Sequence, residues 1–130
     1  MKYLLDTNVL IAMFRGQYKI REAIAFFGFE QCCISEITLA EIKVGAYKSS
    51  YEKHAHEINF LYDNFRILPI TPVLDTYAKL RAGLEANGTP VDNFDLLIAA
   101  SALNNKMTII THNLKHFSKI DNLTIQDWEQ

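Results

Sequence analysis

Five short apolar runs recur along the chain: "KYLLD" at 2–6, "CCIS" at 32–35, "RILPI" at 66–70, "MTIIT" at 107–111 and "LTIQ" at 123–126. Runs this short, mostly apolar without a break and bounded by turn-formers, read as strands covered on both faces. Pro69 marks the end or an edge of the third. Longer stretches of helical pattern separate the first four. "TNVLIAMF" at 7–14 is a short helix stopped by Arg15-Gly16, and residues 18–29 set Ile20, Ile24 and Phe27 on one stripe ending near Gly28. "EITLAEIKVGAYK" is helical with Ile37, Ala40, Val44 and Tyr47 inward, and a helix over roughly 50–64 carries Ile58, Leu61, Tyr62 and Phe65. Further helices cover 72–87, closed by Asn87-Gly88, and 94–105; a loop joins the last two strands. Strands alternating with helices specify an α/β domain with a mainly parallel sheet.

The chain has 130 residues, the size of one domain, with no repeat, linker or low-complexity tract, so a single domain over 1–130 is expected. A 49% hydrophobic, 22% charged composition is globular. With 13 Lys+Arg against 15 Asp+Glu, the chain lacks the footprint of a general nucleic-acid binder, and any such partner must meet a local basic patch. Cys32 and Cys33 are adjacent, so in a strand they point to opposite faces and serve as small core residues, which fits a reducing compartment. No apolar run is long enough to span a membrane, and "MKYLLDTN" reaches an acid too early for a signal peptide. The expectation is a cytoplasmic protein without a membrane partner.

Parallel sheets of this kind bind ligands beyond the carboxyl ends of their strands, at the switch point. Asp6 ends the first strand, and Glu41 follows the second by about a helical turn. Asp95 opens the helix before the fourth strand, and His112-Asn113 follow that strand directly. Carboxylates gathered there need a cation, and Mg²⁺ or Mn²⁺ suits oxygen ligands. Each acid also has a structural explanation. Asp6, with Thr7 and Asn8, can cap the next helix. Glu41 stands three after Thr38 in a capping-box pattern, "TLAE", although the earlier start "SEI" places it inside the helix. Asn93 or Asp92 can cap the late helix, leaving Asp95 in a first turn where the dipole favours a carboxylate. Only their joint placement points to an ion.

Other chemistry is poorly supported. His112 and His116 in "HNLKH" have i, i+4 spacing but lack further zinc ligands, and His54 and His56 read as a solvated helix face. No glycine-rich phosphate loop and no G-x-S-x-G occurs. A dehalogenase-like phosphatase needs a second aspartate where Asn8 stands. A receiver module needs paired acids at the first strand and a lysine after the last, whereas strand four is followed by His112.

"LLDTNVLI" at 4–11, "TLAEIKVGA" at 38–46, "PVDNFDLLIAASAL" at 90–103 and "IITHNLKHFSKIDNLTIQDW" at 109–128 resemble, in order and over the whole chain, the PIN-domain ribonucleases, specifically the VapC toxins of toxin–antitoxin pairs. The resemblance implies a three-layer α/β/α fold around about five short, mainly parallel strands. It implies Mg²⁺- or Mn²⁺-dependent endonucleolytic cleavage of structured RNA, in which a bound water attacks phosphorus in line and leaves 5′-phosphate and 3′-hydroxyl ends. Asp6, Glu41 and Asp95 match the three site acids that hold the metal. Asp92 precedes the third and is auxiliary or capping. The fourth position, often Asp, is Asn113, which suits a water or phosphate better than a second metal. Thr7, Asn8 and Thr111 adjoin matched positions and can position metal waters. Look-alikes that share the surroundings of the third acid and of "THN" cut tRNA in the anticodon region, which makes tRNA the preferred substrate. The family also implies homodimers and a VapB-type antitoxin whose tail covers the acids. Operator DNA is bound only through that antitoxin, and a catalytically weak member would act mainly in this DNA-bound complex. Arg15, Lys43, Lys48, Arg81, Lys115 and Lys119 are the candidate phosphate contacts, of which two or three suffice. Of the phenylalanines in "AIAFFGF", Phe27 fits the core, while Phe26 or Phe29 is the one free to face a partner.

Overall fold

The five runs become β1 (Tyr3–Leu5), β2 (Cys32–Ser35), β3 (Arg66–Leu68), β4 (Thr108–Ile110) and β5 (Ile125–Gln126), each at or inside its expected bounds. They form one wholly parallel sheet in the order β3-β2-β1-β4-β5. Pro69, with no N–H for the ladder, follows the end of β3. The computed structural model describes residues 2–129; Met1 and Gln130, the ends of the expected domain, lie outside the described residues. The helices are α1 (Thr7–Phe14), α2 (Ile20–Phe27), α3 (Glu36–Lys48), α4 (Tyr51–Asn64), α5 (Leu74–Ala86), α6 (Asn93–Asn104) and α7 (Leu114–Phe117). The single turn α7 lies where a plain loop was expected.

Strand alternation sorts the core into two layers. Tyr3, Leu5, Cys32, Ile34 and Ile110 pack with α1, α2 and α4, through residues such as Leu10, Met13, Ile24 and Leu61. Leu4, Cys33, Leu68 and Ile109 pack with α6 and α5, through Leu96, Ile98, Ala99 and Leu80. This is the α/β/α sandwich expected. Cys32 and Cys33 part to opposite faces and form no disulfide; burial pushes their thiols up to about 12 and about 11, so both remain protonated. Trp128 stacks flat on Phe27, with centroids 4.6 Å apart, and meets Tyr3 edge-on, tying the C-terminal segment to β1 and α2. Phe26 is 83% exposed, the outward phenylalanine of its group.

The rotation of α3 differs from the periodic reading. Ala40, Val44 and Tyr47 were expected inward; all three face outward, Val44 at 54% and Tyr47 at 72% exposure, while Leu39, Ile42 and Ala46 pack instead. The cause is polar. Ser35 caps the helix by accepting from Ile37 N at 3.0 Å, and Thr38 and Glu41 are both drawn to the Thr7 hydroxyl, which selects the face turned inward. Tyr62 is half exposed as well, its hydroxyl accepting from Lys43 Nζ at 2.8 Å.

Candidate active site at the switch point

From β1 the chain builds the sheet outward through β2 and β3, then crosses back to place β4 on the other side of β1. The connections therefore diverge beyond the carboxyl ends of β1 and β4, and the crevice opens between them. Asp6 follows β1 and Thr111 follows β4, and Asp6 N donates to Ile110 O at 2.9 Å. The Asp6 side chain caps α1, with Oδ1 accepting from Thr7 N at 2.8 Å, and Oδ2 accepts from the Thr111 hydroxyl at 2.9 Å. The capping reading is seen directly, and the same carboxylate is the candidate site acid. Asp6 is only 3% exposed. Burial raises its pKa to about 6; the Thr111 and Thr7 bonds pull it down, while the charges of Asp95 and Glu41 push it up.

Glu41 lies within α3, half-buried, its Oε1 accepting from the Thr7 hydroxyl at 2.7 Å; Thr7 Oγ1 is itself 3.1 Å from the Thr38 hydroxyl oxygen. Desolvation raises its pKa, the Thr7 bond lowers it, and Asp95 and Asp92 raise it further. Asp92 caps α6, Oδ2 accepting from Phe94 N at 3.1 Å and Asp95 N at 3.3 Å, while Asn93 Oδ1 accepts from the Tyr77 hydroxyl instead. Asp95 stands in the first turn of α6, near enough for its charge to act on both Asp6 and Glu41.

One residue in the site was passed over in the sequence. His116 Nδ1 lies 2.8 Å from Asp95 Oδ2 and 2.9 Å from the Asn113 side-chain amide. Its signal was the offset in "HNLKH": three residues after Asn113 is the same face of a helical turn, once α7 is known to exist. The histidines do not pair: His112 Nδ1 lies 2.8 Å from Asp127 Oδ2 and 3.3 Å from Glu129 Oε2. Asn113 N donates to the Thr111 hydroxyl oxygen at 2.9 Å.

The donor set fits a hard divalent cation. The charge of Asp95 raises the pKa of both Asp6 and Glu41, that of Glu41 raises Asp6 further, and among the described residues no lysine or arginine pairs with any of the three. Among those residues the only three metal-ligating side chains with ligand atoms within 4.8 Å of one another are His112, Asp127 and Glu129. The Asp6, Glu41 and Asp95 oxygens do not all lie within that distance of one another, so as placed at most two of the three could bind one ion directly and the third would act through a water.

The remaining residues separate into two groups. A cleft of about 370 Å³ leads from Glu41 along α1, α3 and α4, lined by Phe14, Arg15, Ile42 and His54 among others. His54 is thus not part of a fully solvated face: it is half-buried, its Nδ1 2.6 Å from Glu57 Oε1. Arg15, Lys48, Lys115 and Lys119 are exposed with no ion pair among the described residues. Lys43 is engaged by Tyr62, and Arg81 by Glu85 at 2.8 Å and by the Tyr77 hydroxyl at 3.0 Å. Asn8 is exposed on α1 and makes no side-chain hydrogen bond among the described residues.

A parallel sheet whose switch point gathers acids from β1, α3 and α6 defines a class, and a family model described as the PIN domain matches residues 3–123. The chain belongs to the PIN-domain family and, within it, is a VapC-type protein. It is 35% identical over 132 residues to ribonuclease VapC1 of Haemophilus influenzae and 32% identical over 131 residues to the tRNA(fMet)-specific endonuclease VapC of Salmonella typhimurium, covering 98% of each chain in both comparisons. The crystal structure of DNA-bound VapBC from Salmonella typhimurium matches with a TM-score of 0.90 at 31% identity, covering 98% of both chains. No helix among the described residues is long and apolar enough to cross a membrane.

Proposed function

We propose that this chain is the toxin of a VapBC-type pair: a Mg²⁺- or Mn²⁺-dependent endoribonuclease, one PIN domain over 1–130, acting in the cytoplasm on structured RNA. The observation that carries the reading is Asp6, a carboxylate 3% exposed, facing two further acids and matched by no basic side chain among the described residues. Holding such a group charged costs stability that a cation from outside would offset. When bound, a divalent ion supplies an activated water and offsets charge on the phosphate.

The chain's own residues do the rest. Asp6, Glu41 and Asp95 hold the ion; Thr7 and Thr111 orient two of those carboxylates through the bonds described. Asp92 presents Asp95 by capping α6. Asn8, beside Asp6 at the start of α1, is placed to meet the ion's waters. Arg15, Lys48 and Lys115 are free to meet RNA phosphates, while Lys43 and Arg81 would first have to leave Tyr62 and Glu85. The relative named as a tRNA(fMet)-specific endonuclease supports tRNA as the first substrate to try, with the anticodon region the cut position that the family resemblance implies. A VapB-type antitoxin silences the site by bringing a basic side chain to its carboxylates, and two copies of the chain pair as a homodimer.

A second reading keeps the fold and partner but assigns the work to operator DNA, bound through the antitoxin. Asn113 at the fourth position and the DNA-bound Salmonella complex favour it. One assay separates the two. Antitoxin-free protein is incubated with total tRNA plus Mg²⁺, Mn²⁺ or chelator, beside Asp95→Asn. Discrete metal-dependent fragments, absent in the variant, are expected; intact RNA with both metals from folded protein would sink the tRNA claim and favour the second reading.

A further inference from the structure

We propose that His116 is a positioning residue for the third acid: its Nδ1–H holds Asp95 Oδ2, leaving the other carboxylate oxygen for the ion. This rests on the divalent-ion reading of the same site. Asp95 N is fixed by the Asp92 cap, but nothing on α6 fixes the Asp95 carboxylate, whose one side-chain hydrogen bond among the described residues is with His116 at 2.8 Å. The ring itself is well held. It rides on α7, a single turn anchored by the fully buried Phe117 and closed by Phe117 N donating to Asn113 O at 3.3 Å.

The protonation pattern follows from the partners. Nδ1 cannot both donate to Asp95 and accept from the Asn113 amide in one tautomer. An ionised carboxylate only accepts, so the proton sits on Nδ1 and the amide turns its oxygen toward the ring. Asn113 thereby joins an arc of bonds. Asp6 Oδ2 accepts from Thr111, whose oxygen accepts from Asn113 N, and the Asn113 side chain abuts His116, which donates to Asp95. The arc links the first and third acids through the segment after β4. It also explains why an amide serves at 113: a carboxylate there would set a further negative charge beside Asp95, while an amide orients the ring without one.

The test is Mn²⁺ affinity without RNA, read from the electron-spin-resonance signal of free Mn²⁺, for wild type, His116→Leu and His116→Asn. Asparagine places an amide N–H near the Nδ1 position; leucine places none. Loss of an outer-shell partner commonly weakens metal binding about 10–100-fold, so His116→Leu should fall in that range and His116→Asn should stay within about threefold of wild type. Cleavage by His116→Leu should recover as Mn²⁺ is raised, since retention of the ion rather than the chemical step is what suffers. Wild-type affinity in His116→Leu overturns the proposal, as does equal loss in both folded variants. Direct ¹⁴N coupling to bound Mn²⁺ would make His116 a ligand and overturn it too. A wild-type protein that binds no Mn²⁺ removes the metal reading itself, and this one with it.

Discussion

Replacing Asp6 with Asn should stabilise the metal-free protein and abolish metal binding together. Burial pushes the Asp6 pKa up to about 6 from the ordinary 3.8, a difference worth about 3 kcal/mol. Because the folded pKa is the higher one, the native state holds more protons than the unfolded chain between about pH 4 and 6. Stability therefore falls as pH rises through that window and stays low above it. The burial is nearly complete, so little of the figure is lost to solvent screening. Asparagine reproduces the protonated acid. Its oxygen accepts from Thr7 N, and its amide donates to Thr111 Oγ1, in place of the two bonds now made. At pH 7.5 in chelator the variant should be more stable by about 2–3 kcal/mol, which for a chain this size raises Tm by about 6–12 °C. Near pH 4 the advantage should vanish. Mn²⁺ should raise the wild-type Tm by mass action and leave the variant unmoved. Calorimetry at both pH values, with and without Mn²⁺, measures all four quantities. A variant that melts at or below wild type at pH 7.5, or gains as much at pH 4, would refute the argument from a buried, unpaired charge.

Three other outcomes are expected. Thr111→Val removes the donor to Asp6 Oδ2 and the acceptor of Asn113 N; it should cost about 1–3 kcal/mol in urea unfolding and raise the Asp6 titration further, visible by carboxyl NMR. Phe117→Ala should lose about 3–5 kcal/mol in the same unfolding assay, since this fully buried ring anchors α7. The hydrogen bond and charge of Asp127 raise the His112 pKa. Its grip on the C-terminal segment is therefore complete below the ordinary histidine value of about 6.5 and fades as pH rises through the raised one. Trp128 fluorescence should report that change, and His112→Gln should erase it.

Much of the site was legible because its acids fall at topologically marked places. Asp6 could be placed beyond β1, and Asp95 in the first turn of an apolar helix, from local pattern alone. Ser35 likewise settled the start of α3, and with it the placement of Glu41 inside the helix. His116 was not legible. A one-turn helix leaves no periodicity, and its only signature is a spacing that also suits a zinc pair or a solvated loop. The outward Ala40, Val44 and Tyr47 stripe misled for a related reason: periodicity reports that a helix has an apolar face, not which neighbour covers it.

By itself the sequence determined the order of the strands and longer helices, the parallel sheet and where the three candidate acids fall along it, because strand length, helix caps and apolar runs act over a few neighbouring residues. Tertiary structure decided the rotation of α3, the hold of Thr111 on Asp6 across 105 residues and that of His116 on Asp95 across 21. It also decided which of the candidate cations are engaged by neighbours, Lys43 by Tyr62 and Arg81 by Glu85. Those outcomes depend on hydrogen bonds and charges meeting through space, whose strength is set by a burial that exists only once both layers have closed on the sheet.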